Sequence, residues 1–443
     1  MSKEFTTENI RNVALLGHAG TGKTTLNDQL LYIMDTITKP GKPEEKNTVS
    51  DFDDEEKERM ISIFSTTNSG EFEGVKINVI DCPGMGDFIG QVRSVLYAAD
   101  SAVVLVDSVD GIQMETEKMW RFLDEFKTPR IVMINKMDKE NANFAKVLED
   151  LSTKFKKSAA PLQIPIGKGP GFKGFIDLIS MKAYTFQDDS KKFKEEEIPA
   201  DLKSQAQEHR SKLIEVIAET DDRLTEKFLD GVELTDEEIK KGLSKSIIDF
   251  NSILVTCGCS IKGIGAYHIL DFIKREFPNS GFREKTEGHT PGKIGEKIIR
   301  KMSSTEPFSA IVFKTKNDMY SGRLNYFKVL SGTLSHDLDL IIANKSERIK
   351  LQHIFISKAG KLVETNKLFT GDIGVVSKIE GLKTGFTFCD NKSQIQYPDM
   401  KMPQPVFALA VHAHEKKDED KMNELFNKAS EEDTTFHLQF NGE

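Results

Sequence analysis

A glycine-rich run, G-H-A-G-T-G-K-T at residues 17–24, has the spacing of a phosphate-binding loop. Its glycines let successive backbone N–H groups turn towards an anion, and the helix that follows adds partial positive charge. Lys23 can reach the β- and γ-phosphates of a nucleotide, and the Thr24 hydroxyl can ligate Mg²⁺. The bland alternative is a glycine turn that happens to contain a lysine. The residues predicted to bind phosphate are Gly17, His18, Ala19, Gly20, Thr21, Gly22, Lys23, Thr24 and Thr25.

A second run, N-K-M-D at residues 135–138, has the composition of a guanine-recognition loop. The carboxylate of Asp138 can accept hydrogen bonds from N1–H and the N2 amino group of guanine, and adenine offers neither donor there. Asn135 can bridge to the phosphate loop, while the Lys136 stem can cover one face of the ring. A third contact is expected from backbone N–H groups of the loop at 257–260. The predicted guanine-binding residues are Asn135, Lys136, Asp138, Cys257, Gly258 and Cys259.

Between these two runs lies D-C-P-G at residues 81–84, which follows an alternating strand. Asp81 is placed to hold Mg²⁺ through water, and the N–H of Gly84 is placed to meet a γ-phosphate. Loss of that phosphate would release the segment that follows, as in order–disorder switches. The pattern is also common in ordinary turns, so its weight comes from its position between the other two motifs.

The elements that must position these loops are strands and helices in alternation from residue 11 to about 158. That alternation predicts a mostly parallel, doubly wound α/β sheet. The polar residues 35–60 suit a mobile switch loop or a plain surface loop. An inserted α+β subdomain is expected at about 160–250, with helices at 204–219 and 236–244, before the sheet resumes at Ile253.

The remainder of the chain changes character. Residues 283–304 look like a charged linker, and 305–400 contain short alternating strands with glycine turns, which predicts an all-β barrel. Residues 401–443 are expected to begin a third, α+β domain. There we predict a strand at 403–411 and a helix at 418–430 whose Leu425 and Phe426 point inward.

Composition sets further bounds. The 443 residues carry a net charge of −9, so the composition lacks the overall excess of basic residues that is typical of nucleic-acid-binding proteins. The four cysteines are few and scattered, which indicates reduced thiols rather than a disulfide framework. Cys257-x-Cys259 lacks the second pair of Cys or His ligands that a zinc site needs. No stretch approaches 18 apolar residues and the N-terminus lacks a signal peptide, so we expect a soluble, cytoplasmic protein with no membrane partner.

Several stretches together resemble one family, the translational GTPases of the elongation factor G type, and most closely its divergent, duplicated branch. The resembling stretches are 12–26, 50–63, 81–88, 135–138, 161–167, 254–258, 329–334, 371–373 and 431–436. The resemblance implies a P-loop G domain at 1–282, a docked barrel and a third domain that is truncated at Glu443. It also implies a monomer that binds GTP or GDP with Mg²⁺ and contacts the ribosome through rRNA and stalk proteins. The domains that drive translocation would be absent.

The resemblance also assigns roles at the site, with three departures. Ser62 matches a family threonine that ligates Mg²⁺, which makes Thr24, Ser62 and Asp81 the metal residues. Lys23, Gly84 and Met85 occupy catalytic positions, but Met85 stands where the family has a histidine that positions the attacking water. A thioether cannot orient water as an imidazole can. Met60 replaces a glycine, and Gly20 replaces a phosphate-loop aspartate.

Three function classes follow from these residues. The favoured one is a translation factor that binds and hydrolyses GTP on the ribosome. The alternative is a GTP/GDP-gated ribosome-binding module that does not hydrolyse because of Met85. The third is a structural role on the ribosome with little nucleotide control, which would leave the phosphate loop, base motif and Mg²⁺ hydroxyls unexplained.

Overall fold

The computed structural model describes residues 3–187, 189–318 and 321–439. They form two compact units. One comprises residues 11–86 and 99–278, and the other comprises 1–10, 87–98 and 279–443. The first is called the α/β unit below and the second the β unit.

The strands that precede residue 282 are β1 (Ile10–Leu16), β2 (Thr66–Phe72), β3 (Val75–Asp81), β4 (Ser101–Asp107), β5 (Arg130–Asn135), β6 (Ser158–Pro161), β7 (Gln163–Ile166), β8 (Gly174–Asp177), β9 (Lys182–Phe186), β10 (Phe193–Glu196) and β11 (Ser252–Cys257). The helices are α1 (Lys23–Ile33), α2 (Asp54–Arg59), α3 (Ile89–Val95), α4 (Met114–Glu125), α5 (Phe144–Phe155), α6 (Lys203–Ala218), α7 (Asp222–Leu229), α8 (Asp236–Asp249) and α9 (Ala266–Glu276).

Seven of these strands form one sheet in the order β2-β3-β1-β4-β5-β11-β6. The pairs β1–β4, β4–β5, β5–β11 and β11–β6 are parallel, whereas β2 and β3 are antiparallel. The parallel strands are continuous runs of buried apolar residues because helices cover both faces of such a sheet. The predicted loops leave the carboxyl ends of β1, β3, β5 and β11, where α/β sheets bind ligands.

The insert forms its own four-stranded antiparallel sheet, in the order β10-β9-β8-β7. Helices α6, α7 and α8 follow it before the chain returns to the main sheet at β11. Helix α8 begins with a capping box between Thr235 and Glu238, which satisfies N–H groups at its start. The helices predicted at 204–219 and 236–244 are therefore present, the second being longer than expected.

The β unit contains β12 (Lys285–Thr290), β13 (Lys293–Lys301), β14 (Ser309–Asp318), β15 (Gly322–Ser331), β16 (Thr333–Ser335), β17 (Leu340–Ile342), β18 (Glu347–Ile349), β19 (Phe355–Lys358), β20 (Lys361–Glu364), β21 (Lys367–Phe369), β22 (Ile373–Ser377), β23 (Thr387–Asp390) and α10 (Glu419–Glu432). Eight strands form an antiparallel sheet in the order β18-β17-β23-β14-β15-β22-β19-β20. Its core holds Phe308, Phe327 and Phe388, which pack ring against ring. This α/β sheet followed by antiparallel β structure confirms the predicted fold class.

Two expectations outside the sheets need correction. Residues 283–304, interpreted as a linker, contain the antiparallel hairpin β12–β13. The predicted strand at 403–411 is wrong, because residues 401–413 form no helix or strand. Val406 and Phe407 there are 99% and 78% exposed, so this alternating apolar run has no neighbouring strand to pair with. The helix predicted at 418–430 is confirmed as α10, but its Leu425 is 56% exposed rather than inward.

Within the part of the chain that the structure describes, no helix has both the length and the apolar composition needed to cross a membrane.

Candidate functional site

A cavity of about 380 Å³ opens at the carboxyl edge of the main sheet in the α/β unit. The phosphate loop and the start of α1 contribute Ala19, Gly20, Gly22, Lys23, Thr24 and Thr25. Two further segments contribute to the lining: residues 43–64, called the switch segment below, and residues 81–86, called the sensor below. Their lining residues are Pro43, Glu44, Asp51, Met60, Ile61, Ser62, Gly84 and Met85. The base-motif side contributes Asn135, Lys136, Asp138, Lys139, Cys259, Ser260 and Ile261. The structure therefore brings the three sequence motifs to one cavity.

Close contacts with neighbouring residues require glycine at two positions of the phosphate loop. Gly17 has φ +138°, and a Cβ there would lie 2.3 Å from the carbonyl oxygen of Leu105. Gly22 has φ +96°, and its Cβ would lie 2.4 Å from Nδ2 of Asn135. Because other residues would clash at both positions, the loop can take this shape only with glycine there.

Lys23 begins α1 and is buried. Its Nζ donates hydrogen bonds of 2.9 Å to the carbonyl oxygens of Gly17 and His18. Burial lowers the pKa of Lys23 to about 8, although the negative charge of the nearby Asp81 acts to raise it. A buried ammonium that carbonyl groups hold inside the loop is ready to exchange them for phosphate oxygens.

Oxygen ligands of the kind that Mg²⁺ prefers converge beside Lys23. Thr24 Oγ1 lies 3.2 Å from Ser62 Oγ, which in turn donates a 2.7 Å hydrogen bond to Asp51 Oδ1. Neither carboxylate oxygen of Asp81 makes a hydrogen bond of good geometry with the described residues, although both oxygens are buried. Two hydroxyls and two carboxylates fit a hard cation that also takes phosphate oxygens and water.

The electrostatics of this group support that fit. Burial raises the pKa of Asp81 to about 6, and the positive charge of Lys23 and the hydroxyls of Thr24 and Ser50 act in the opposite direction. Burial also raises the pKa of Asp51 to about 6, with a further contribution from the Asp81 charge. Two buried carboxylates that repel each other would be relieved by a shared divalent cation. Sequence reasoning missed Asp51, because nothing in the acidic run at 51–58 distinguishes it from its neighbours.

The base end is held together by Asn135. Its Nδ2 donates to the carbonyl oxygen of Thr21 at 2.8 Å, and its Oδ1 accepts from the N–H of Ser260 at 2.9 Å. Lys136 has φ +61° and pairs with Asp107 at 2.9 Å. Asp138 faces the cavity with Lys262 Nζ 3.8 Å from its Oδ2. The base-motif carboxylate is therefore directed into the same cavity as the phosphate loop.

Two of the predicted base contacts lie elsewhere. Cys257 ends β11 in the core, where its N–H meets Gln163 Oε1 at 3.4 Å, and the N–H of Gly258 donates to the Ile134 carbonyl at 3.0 Å. Neither residue lines the cavity, because sheet and loop bonds consume their N–H groups. Cys259 does line it, and burial raises the pKa of its thiol to about 12. Ile261, which we did not predict, completes this wall. No signal in the sequence distinguished Ile261 from other apolar residues.

The sensor lies against the phosphate loop. The N–H of Ala19 donates to the Gly84 carbonyl at 3.0 Å, and a Cβ on Gly84 would lie 2.5 Å from Lys23 Nζ. Met85 follows in the cavity wall. The cavity wall therefore has a thioether at the position next to Gly84.

The switch segment is anchored by Glu56 of α2. Its Oε1 accepts from the N–H groups of Ile63 and Phe64 at 2.9 and 3.0 Å. Helix α2 starts with a capping box at Asp53 and ends at Arg59, and the next residue, Met60, has φ +53°. These bonds hold the backbone next to Ser62, whose hydroxyl lies beside that of Thr24.

Comparison with known proteins gives three consecutive family matches. Residues 8–279 match the model described as elongation factor Tu GTP binding domain, 307–391 match elongation factor G domain 2, and 402–443 match elongation factor G, domain III. Among solved structures, the chain is similar to a crystal structure of ttk003000868 from Thermus thermophilus, with 28% sequence identity and a TM-score of 0.86. That alignment covers 98% of this chain, which spans 62% of the Thermus chain.

Proposed function

The chain belongs to the elongation factor Tu GTP-binding domain family, and from this premise we propose that it binds GTP and GDP with Mg²⁺ and hydrolyses GTP on the ribosome. The family model covers more than half of the chain, and domains of the elongation factor G type follow it. The chain therefore has the domains of a translational GTPase. Its nucleotide, its metal and its turnover are our inferences from the site.

The observation that carries the proposal is that Lys23 and Asp138 line one cavity. The ammonium suits phosphates, and the carboxylate suits the two donors on the Watson–Crick edge of guanine. Adenine has no donors that match the Asp138 carboxylate at that edge, which disfavours ATP.

Thr24, Ser62 and Asp81 are the residues that we propose to hold Mg²⁺, with Asp51 supporting Ser62. When bound, the ion would neutralise charge on the β- and γ-phosphates. Thr24 and Ser62 come from different segments, and their hydroxyls already lie 3.2 Å apart. Binding the γ-phosphate would therefore order the switch segment and the phosphate loop together.

Action on the ribosome is proposed from the family alone. We propose rRNA and ribosomal stalk proteins as partners of a monomeric, cytoplasmic factor. The chain spans 62% of the Thermus chain that it matches, so the activity of the whole protein is also a proposal.

A second candidate function is favoured by one residue. Met85 lies in the cavity wall where a water-orienting group would be needed, and its thioether is a poor hydrogen-bond partner. In this alternative the protein binds GTP and GDP, and occupancy alone controls its contact with the ribosome.

Two measurements test these candidates together. Fluorescent GTP and GDP titrations give affinities, and phosphate release with Mg²⁺, with and without ribosomes, gives turnover. We expect Lys23→Ala to lower GTP affinity by about tenfold or more, since it removes a charge-assisted contact. The exposed Lys203→Ala is the matched control. Affinity within about twofold of wild type for Lys23→Ala would refute the phosphate site, and tight GTP binding without turnover would select the second candidate.

A further inference from the structure

The γ-phosphate end of the cavity lacks an imidazole at Met85, so another group must orient water if hydrolysis occurs. The contacts of the next residue, Gly86, identify a candidate group. A Cβ on Gly86 would lie 2.9 Å from Oε1 of Glu115 and 3.4 Å from Nζ of Lys118. A carboxylate is therefore held against the backbone of the sensor, one residue beyond the methionine.

Glu115 is itself held by the phosphate loop. Its Oε2 lies 2.6 Å from Nδ1 of His18, and Lys118 Nζ lies 3.6 Å from its Oε1. The side chains of His18 and Glu115 are only 28% and 13% exposed, so both are largely shielded from solvent. His18 precedes Ala19, whose N–H bonds the Gly84 carbonyl. The pair thus joins both segments that meet a γ-phosphate.

We propose that Glu115 and His18 form a positioning pair which replaces, at this site, the water-orienting group missing at Met85. The inference rests on the proposed GTP hydrolysis. In that reaction the oxygen of water bonds to the γ-phosphorus, and the bond from that phosphorus to the β–γ bridging oxygen breaks. The electron pair of that bond leaves with GDP, and a proton from the water ends on the released inorganic phosphate.

The pair acts through its position rather than through covalent chemistry. The carboxylate fixes the imidazole beside the phosphate loop and borders Gly86, so closure of the sensor on the γ-phosphate brings Met85 and Gly86 against it. A carboxylate and an imidazole can both accept a hydrogen bond from water, which a thioether does poorly. Orientation of the attacking water is the main task that phosphoryl transfer leaves to the protein beyond charge stabilisation.

A purely structural role for Glu115 makes a different prediction. Glu115 lies in the first turn of α4, where a carboxylate interacts favourably with the helix N-terminus. If that were its whole role, removing the charge would lower the thermal midpoint and leave turnover per folded molecule unchanged.

The test compares Glu115→Gln with Glu117→Gln under single-turnover conditions, with protein in excess of GTP. Glu117 is in the same turn of α4 and pairs with Lys154 at 2.9 Å instead. We expect Glu115→Gln to slow phosphate release by about tenfold or more, and to leave GTP and GDP affinities within about twofold. Glu117→Gln should match wild type. The acid limb of the pH–rate profile should change only in Glu115→Gln.

A rescue experiment adds a measurement, turnover in a double variant, that a purely structural role of Glu115 would leave unchanged. Met85→His supplies an imidazole at the sensor, so Met85→His/Glu115→Gln should recover turnover that Glu115→Gln loses. Turnover in Glu115→Gln equal to that in Glu117→Gln would overturn the pair and leave the proposed function standing. Tight GTP binding by wild type with no turnover would overturn both the pair and the hydrolytic part of the proposed function. Weak GTP binding by wild type would refute the nucleotide site itself.

Discussion

Asn135 ties the base motif to the phosphate loop, because its Nδ2 donates a 2.8 Å hydrogen bond to the carbonyl oxygen of Thr21 across 114 residues of sequence. Its Oδ1 accepts from the N–H of Ser260, so one buried amide joins three loops. The cavity therefore has a fixed length between its phosphate end and its base end before any nucleotide arrives. Such preorganisation reduces the ordering that a ligand must impose.

Replacing Asn135 tests this connection. Asn135→Ala leaves the Thr21 carbonyl and the Ser260 N–H buried without partners, which costs about 1–3 kcal/mol. We expect both GTP and GDP to bind at least tenfold more weakly and the thermal midpoint to fall. Calorimetric titration and thermal unfolding check this, with Asn391→Ala in the β unit as the control. Unchanged affinity for both nucleotides would show that the loops hold their spacing without the amide.

Asp138 should decide which base is bound. Asp138→Ala removes the acceptor for two guanine donors, so GTP affinity should fall while ATP affinity changes little. Loss of two hydrogen bonds to a charged acceptor corresponds to about 3–6 kcal/mol, which is roughly 150-fold or more in the ratio of affinities. Competition of ATP and GTP for a fluorescent guanine nucleotide measures that ratio. Equal competition by ATP and GTP in the wild-type protein would contradict the assigned role.

Met60 carries backbone strain that a glycine would not. Its φ is +53° at the end of α2, a conformation that costs an L-residue about 1–2 kcal/mol. Glycine has more conformational freedom in the unfolded chain, which costs the folded state about 0.5–1 kcal/mol. This cost partly offsets the relief of strain, so Met60→Gly should be neutral or stabilising by up to about 1 kcal/mol. Glu58→Gly, inside α2, should instead destabilise.

Hydrogen exchange of residues 50–63 reads out the switch segment directly. Slower exchange in Met60→Gly than in wild type is the expected result, because the end of α2 is relieved of strain. Faster exchange in Met60→Gly would mean that contacts of the methionine in the cavity wall outweigh the strain.

Met85 should limit turnover by the water-positioning argument. Met85→His introduces a group that can accept and donate hydrogen bonds at the γ-phosphate end, so phosphate release should accelerate, with GTP affinity within about twofold of wild type. Met85→Leu keeps the volume without a polar atom and should match wild type. Ribosome-stimulated phosphate release compares the three proteins. No gain with histidine would show that Met85 is not what limits hydrolysis.

The sequence predicted the loops better than the contacts between them. Glycine spacing and strand–loop order were enough to place Gly22, Lys23 and Asp138 at one edge of a parallel sheet, because both features are local. The contact of Ser62 with Asp51 joins residues 11 apart in a polar segment without periodicity, and the pair of His18 with Glu115 joins distant elements. Such contacts depend on tertiary packing, which no local pattern encodes.

Errors in the prediction arose where a local pattern competed with tertiary structure. Strand β11 extends to Cys257 and Gly258 directly follows it, so the residues of this loop that line the cavity are Cys259, Ser260 and Ile261. At 403–411 the alternation of apolar residues was real, but a strand also needs a partner. The hairpin at 285–301 was hidden because both of its strands contain many charged residues.

His268 on α9 gives the α/β unit a defined pH dependence. Its ring is packed edge-on by Phe175 and Tyr184, with centroids 4.8 and 4.5 Å away. Burial lowers the pKa of His268 to about 4, and the charge of Arg275 lowers it further. The unfolded chain, with an ordinary pKa near 6.5, therefore binds the proton more readily than the folded one. Stability contributed by the neutral ring is complete above pH 6.5 and is lost as the pH falls towards 4.

His268→Phe isolates this contribution. Asp177 and Asp271 are close by, and burial raises the pKa of both, so they stabilise the fold as the pH falls and mask the histidine in wild type alone. The difference in unfolding free energy between His268→Phe and wild type should grow in favour of phenylalanine below pH 6.5, by up to about 1.4 kcal/mol per pH unit. Urea unfolding at several pH values measures it, with the exposed His353→Phe as control. A difference that is constant between pH 7 and pH 4 would mean that His268 titrates alike in the folded and unfolded chains, and that the aromatic packing does not exclude the proton.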